Sequence, residues 1–275
     1  MTNHPGLHHR TIHRFRQGTG LPVEDVLAVE EPLDIRIGNR SVAITMRTPG
    51  RDVDLALGFL FSEGILPAEY GGDGAQVQGK VLKNNVVTIK LPPGSSVDWK
   101  RLERHSYTSS SCGVCGKTSL EQVYATVPFA DTVSSVRVAA AVLRSLPAKL
   151  RAAQELFGKT GGIHAAGLFT PAGELLHFAE DVGRHNALDK LVGHFFGQGR
   201  LPLSGRILLL SGRASFELIQ KAAMAGISVV VAVGAPSSLA VSLGEELGLT
   251  VCGFTSERGF NCYCGVERID AEQPD

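Results

Sequence analysis

Cys112 and Cys115 stand three positions apart in the run Thr108-Ser-Ser-Ser-Cys-Gly-Val-Cys-Gly-Lys-Thr118. Glycine follows each thiol, which leaves the sulfur accessible and lets the loop bend. The amphipathic residues behind it (Leu120, Val123, Tyr124) are expected to open a helix whose first amides point back at the cysteines. Those amides and the charge of Lys117 both favour thiolate over thiol, which makes a nucleophile. A thiolate of this kind accepts a sulfane sulfur as a persulfide, and a second thiol nearby assists its release or competes as a disulfide partner.

Other uses of a Cys-x-x-Cys pair fit less well. A zinc site needs a second pair of ligands, and Cys262-Tyr-Cys264 is the available one, although its spacing is tight. No metal ligand set is therefore assigned, and the zinc alternative stays open. A dithiol oxidoreductase places its pair at a strand-to-helix junction of a compact βαβ unit. Here the pair sits on a Ser/Gly-rich loop between two regions.

The elements that must position this loop follow from periodicity. Residues 1–22 hold His4, His8, His9, His13, Arg10, Arg14 and Arg16, and are expected to be a poorly ordered leader. From 23 to 105 the pattern is a β-rich subdomain. Val26–Val29, Leu33–Ile37 and Val42–Met46 read as strands, and Asp52 caps a helix that reaches Gly64. A hairpin then turns at Lys83-Asn84-Asn85. No chemistry is visible there. The mobile Cys-x-x-Cys loop spans 106–118.

Residues 119–275 carry a helical stretch from Val133 to Phe157, split or kinked at Pro147, and two strands at 162–169 and 174–178. A helix from about His185 follows, and then the strands 206–210, 228–233 and 250–254 alternate with helices. The expected fold class is α/β, a three-layer sandwich with a ligand crevice. Its αββαβαβ order resembles the cytidine deaminase fold. Deaminase chemistry is rejected: it needs His-x-Glu and a later Pro-Cys-x-x-Cys, whereas Ala165-Ala166 follows His164 and the cysteine pair comes earlier.

Ligands of such sheets bind beyond the carboxyl ends of the strands. Three helix starts belong there: Glu180-Asp-Val-Gly-Arg-His-Asn186, Ser211-Gly-Arg-Ala-Ser215 and Gly234-Ala-Pro-Ser-Ser238. Free amides, hydroxyls, Arg184 and Arg213 facing one edge make a phosphate or pyrophosphate cradle. Each motif alone is an ordinary cap or turn, and only their equivalent positions favour a nucleotide-like anion. Asp181 could simply pair with Arg184. His185 opens a helix beside them, and His164 is a minor candidate.

Composition bounds the rest. In 275 residues, Lys+Arg and Asp+Glu balance at 27 each, so no bulk field recruits nucleic acid or an anionic membrane. No apolar run approaches a membrane span. Five cysteines are too few, and odd, for a disulfide framework, which points to the reducing cytosol.

Together with Gly161-Gly-Ile-His-Ala-Ala166, Ser211-Gly-Arg-Ala-Ser-Phe-Glu217, Ala235-Pro-Ser-Ser-Leu-Ala240 and Phe260-Asn-Cys-Tyr263, these motifs make the chain resemble the formate dehydrogenase accessory sulfurtransferases from about Val23 to Ile269. The resemblance implies a cytoplasmic carrier-type sulfurtransferase. Such a protein takes sulfur from a cysteine desulfurase as a persulfide. It passes the sulfur to the molybdenum (or tungsten) bis-guanine-dinucleotide cofactor, which formate dehydrogenase then receives. It implies that Cys112 bears the persulfide and that Cys115 is its partner. It also implies a cofactor-binding segment at Phe254, Thr255, Ser256, Glu257, Arg258 and Gly259, joined in the crevice by Arg213, Ser237 and His185. A substrate with two nucleotide arms suits a homodimer. Cys262 and Cys264 depart from the family's tail. A cofactor-binding chaperone with structural or zinc-bound cysteines is the alternative from another class, and a plain nucleotide-binding regulator is a third.

Overall fold

The computed structural model of the chain describes residues 4–71, 78–82, 85–91, 127–129 and 135–271. The loop of Cys112 and Cys115 lies outside the described residues. The leader expected to be poorly ordered is instead half of a hairpin, with β1 (Leu7–Arg16) antiparallel to β2 (Thr19–Ala28) over ten residue pairs. Gln17 and Gly18 both take positive φ, 48° and 84°, and a turn of that hand matches the twist of the strands it joins. Composition hid this ribbon because none of its side chains is fully buried, and apolar residues such as Phe15, Leu21 and Leu27 stand exposed among its charged ones.

β3 (Glu31–Ile37), β4 (Arg40–Arg47), β5 (Gln78–Leu82) and β6 (Val86–Lys90) form a sheet in the order β4-β3-β6-β5. Leu33, Ile35 and Ile37 alternate into its buried face, as period two requires, and meet helix α1 (Asp52–Ser62). The expected cap is displaced by one residue. Arg51 takes the N-cap position with φ 54°, while the Asp52 carboxylate accepts from the buried Arg47 guanidinium at 3.0 and 2.9 Å.

The larger unit runs β7 (Val138–Ala139), α2 (Ala140–Ala153), α3 (Glu155–Thr160), β8 (His164–Phe169), β9 (Leu175–Asp181), α4 (Arg184–Gly197), β10 (Ile207–Leu210), α5 (Phe216–Met224), β11 (Val229–Ala232), α6 (Ser238–Glu246), β12 (Thr250–Ser256), β13 (Gly259–Cys264) and β14 (Ile269–Asp270). Its six-stranded sheet has the order β13-β12-β11-β10-β8-β9. β10, β11 and β12 are parallel, and β8 and β13 run against their neighbours. Strands covered on both faces read as continuous apolar runs, as Ile207–Leu210 and Val229–Ala232 do. Leu143, Leu146 and Leu150 of α2 cover one face. The other meets α4, α5 and α6, and that core continues without a break into α1 and the smaller sheet. The chain is thus mixed α/β, with helices on both sides of the central sheet. α2 is not split at Pro147: leucines on either side of the proline hold the helix to the sheet, and it ends at Gln154.

α1 and α4 cross at two glycines. A Cβ on Gly58 would stand 1.9 Å from the Asp189 carbonyl oxygen, and one on Gly193 would stand 1.8 Å from that of Asp54. Below this crossing, buried Lys221 donates to Asp189 at 2.9 and 3.1 Å and to Glu63 at 3.1 Å, tying α5 to both helices. Among the described residues no helix is long and apolar enough to cross a membrane.

Candidate functional site

The carboxyl ends of β9, β10, β11 and β12 share one edge of the sheet, and because β8 is antiparallel to β10, His164 starts there too. Backbone bonds lace the loops of this edge. The Ser211 hydroxyl accepts from Ala165 N at 2.8 Å, and Ser211 N donates back to the Ala165 carbonyl at 2.9 Å. Gly234 N donates to Gly212 O at 2.9 Å, Ser237 N to Ala214 O at 3.0 Å and Phe254 N to Gly234 O at 3.1 Å. The helix starts singled out by sequence, and the first residue of the 254–259 segment, are therefore neighbours. Gly212 permits the approach of His164, whose ring lies 3.3 Å from where a Cβ would be.

The Glu180–Asn186 run divides its work. Both Glu180 carboxylate oxygens accept amides at the start of α3, from Leu156 at 3.1 Å and Phe157 at 2.9 Å. Asp181 does not pair with Arg184. Fully buried, it binds Lys190 at 2.6 Å and accepts from Thr48 N at 3.1 Å, Gly183 N at 2.9 Å and the Asn186 amide at 3.0 Å. Asn186 also donates to the Met46 carbonyl at 2.7 Å, and Lys190 to that of Thr48 at 2.8 Å. Four of the most diagnostic residues thus fasten helices α3 and α4 and strand β4 together. Arg184 and His185 take no part in this fastening.

Arg184 has its Nε buried with no hydrogen-bond partner among the described residues. Its charge depresses both flanking histidines. Burial, then Arg184, lowers the His164 pKa, with Asp181 pulling the other way. His185 is held down to about 3 by burial first, then Arg184 and Lys221. Glu63 pulls the other way without reversing the shift, so near neutrality His185 is an uncharged imidazole, with the Glu217 carboxylate 3.2 Å from its Nε2. Ser215 Oγ lies 3.4 Å from the same nitrogen. Arg184 Nε thus has no acceptor among the described residues, beside two imidazoles that its charge helps to keep neutral.

The other sequence candidates are dispersed along the same rim. Arg213 is exposed, and the Ser237 hydroxyl accepts from Ala240 N at 3.2 Å as the cap of α6. Phe254 takes φ 53°, strained for an aromatic residue, with 54% of its surface exposed. Beside it the buried Thr255 hydroxyl has no partner among the described residues. Ser256, Glu257 and Arg258 are exposed around the β12–β13 turn that Gly259 closes.

Next to this rim opens a cleft of about 560 Å³ between α2, α3 and the sheet edge, lined in part by Arg151, Gln154, Phe157, His164, Ser211 and Val233. The Arg151 guanidinium stacks 4.1 Å from the Phe157 ring centroid, and the buried Gln154 amide nitrogen has no partner among the described residues. Sequence reasoning missed these three, because they lie in what reads as an ordinary amphipathic helix and its end.

The second half of the zinc alternative is not a chelating pair. Val251 stands opposite Cys264 and Cys252 opposite Cys262, so Tyr263 is the extra residue of a bulge. Cys262 turns to the α2 side of the sheet and Cys264 to the opposite side. Among the described residues no group of three or more His, Cys, Asp or Glu is arranged to hold a metal ion.

Fold and site together define a mixed α/β protein with helices on both sides of its central sheet and a cleft beside the sheet's carboxyl edge. Residues 28–270 match the FdhD/NarQ family, and the chain belongs to it. It is 52% identical over 268 residues to the sulfur carrier protein FdhD of Streptomyces coelicolor, covering 94% of each chain. To the protein of the same description from Mycobacterium tuberculosis it is 45% identical, covering 95% of this chain and 98% of the other. The crystal structure of a formate dehydrogenase accessory protein from Desulfotalea psychrophila superposes with a TM-score of 0.76 at 23% identity, over 97% of this chain and all of that one. That likeness bears on the fold alone.

Proposed function

We propose that the protein is a cytoplasmic sulfur carrier in the maturation of formate dehydrogenase. In this reading the Cys112 thiolate attacks the outer sulfur of a cysteine desulfurase persulfide. The donor's sulfur–sulfur bond breaks, the desulfurase cysteine leaves as thiolate, and Cys112 holds the sulfur with Cys115 as its partner. The acceptor is the molybdenum (or tungsten) bis-guanine-dinucleotide cofactor, bound as substrate and then delivered to formate dehydrogenase. A homodimer would offer one crevice to each nucleotide arm. The strand order, with β8 antiparallel to the strand it joins at the sheet's centre, supports likeness to the cytidine deaminase fold, put here to a different use.

The observation that carries the reading is Arg184 Nε, buried and without a partner among the described residues, at an edge where burial and Arg184 itself keep His164 and His185 toward the neutral form. A pyrophosphate would satisfy it, with Arg213 and the 254–259 segment on the exposed side. Guanosine diphosphate serves as the probe in calorimetry. Arg184→Gln is expected to weaken its binding by about tenfold to a hundredfold, the worth of one hydrogen bond to a charged group. Unchanged affinity in Arg184→Gln and in Arg213→Gln would remove the crevice from the account.

A further inference from the structure

The cleft between α2, α3 and the sheet edge has a volume of about 560 Å³, within the roughly 300–1,000 Å³ of small-molecule sites. Its lining is mostly apolar, with Pro147 and Leu150 from α2 and Ile163 and Leu209 from the sheet side. Two features set it apart from a plain apolar hollow. Gln154, between α2 and α3, is only 7% exposed, and its amide nitrogen has no partner among the described residues. Beside it the Arg151 guanidinium lies 4.1 Å from the Phe157 ring centroid, and Arg151 is itself exposed, so one face of this stack is open. Gly161 and Gly162 add a stretch of bare backbone, against which a flat ring can lie close.

We propose that this cleft is a base subsite: it takes a planar heteroaromatic ring bearing an exocyclic carbonyl, with the Gln154 amide donating to that carbonyl and the Arg151–Phe157 pair stacking against the ring. A buried donor without an acceptor carries a desolvation cost, and a carbonyl on the ligand removes it. A guanidinium already lying over one aromatic ring extends the stack to a second. Among nucleobases, guanine, hypoxanthine and uracil carry such a carbonyl, whereas adenine presents an amino group in its place. Gln154 is therefore the residue that selects the base.

His164 links the cleft to the phosphate side of the site. It lines the cleft, and it stands close enough to Arg184 for that charge, after burial, to lower its pKa. A ring in the cleft thus leaves the rest of a nucleotide directed past His164 toward the Arg184 edge. The subsite deepens the proposed function and rests on it only for the phosphate arm.

The test is calorimetry on the full-length protein with guanosine diphosphate, inosine diphosphate, adenosine diphosphate and inorganic pyrophosphate as probes. The guanosine and inosine nucleotides are expected to bind alike, and the adenosine nucleotide about tenfold more weakly, the worth of one hydrogen bond. Gln154→Leu should bring the first two down to the level of the third and leave pyrophosphate unchanged. Its unfolding midpoint should not fall, because a donor that is unpaired in the empty cleft holds nothing together. Arg151→Met should weaken all three nucleotides by about threefold and spare pyrophosphate. Equal affinity for the guanosine and adenosine nucleotides, a preference that survives Gln154→Leu, or a lower midpoint in that variant overturns the proposal. Nucleotide binding that needs Arg184 but ignores Gln154 sinks this subsite alone. A base preference set by Gln154 in a protein indifferent to Arg184→Gln sinks only the phosphate cradle of the proposed function, and no nucleotide binding at all sinks both.

Discussion

Gly58→Ala is expected to destabilise the protein by about 3 kcal/mol, at the upper end of what overpacking costs. The added Cβ meets backbone on every side: the Asp189 carbonyl oxygen at 1.9 Å, its carbon at 2.6 Å and Gly193 N at 2.9 Å. No side chain can swing away, so α1 must lift from α4. Those two helices sit in the same core as the smaller sheet and the face of the larger one, and the disturbance spreads through both. Urea unfolding reads the effect as a lower midpoint. The control is Gly158→Ala, where a Cβ would meet nothing within 4 Å, and its midpoint should barely move. Equal behaviour of the two variants would mean that the helices do not approach as described.

Asp181→Ala is expected to cost about 4 kcal/mol, because it leaves the Lys190 ammonium buried without a counter-charge and strands three N–H donors. Lys190→Met should cost less, about 2 kcal/mol, since the remaining carboxylate keeps those three donors. The double variant should be less destabilised than the sum, because the second change removes a charge that the first had orphaned. Chemical denaturation of the four proteins closes the cycle. A larger penalty for Lys190→Met than for Asp181→Ala would refute the assigned roles.

The asymmetry explains why so much of the candidate site was only half legible. Glu180-Asp-Val-Gly-Arg-His-Asn looked like a ligand loop from residue type, and periodicity placed it correctly before a helix. What no local pattern carries is that Thr48 and Met46, far away in sequence, supply the partners of Asp181, Asn186 and Lys190. Long-range bonds of this kind turn apparent ligands into fasteners, and within this run they leave Arg184 Nε without a partner among the described residues. The alternation of strands and helices from Gly162 to Phe254 was readable because both faces of the sheet are covered, which makes each strand a run of apolar residues. The leader was misread for the opposite reason: no side chain of its ribbon is fully buried, so no buried apolar stripe marks the strands, and the Gln17-Gly18 turn is the local signal. β13 was missed because the bulge at Tyr263 breaks its period of two. Gln154, Arg151 and Phe157 gave no signal, since their importance comes from the cleft that the end of α2 opens.

The most direct test of the sulfur-carrier account is the mass of residue Cys112 after the full-length protein is incubated with a cysteine desulfurase and cysteine. One added sulfur on Cys112, absent in Cys112→Ala together with the ability to activate formate dehydrogenase, is the predicted result. A Cys112 that stays unmodified, in a protein whose Cys112→Ala variant activates the dehydrogenase as well as the wild type, would contradict it.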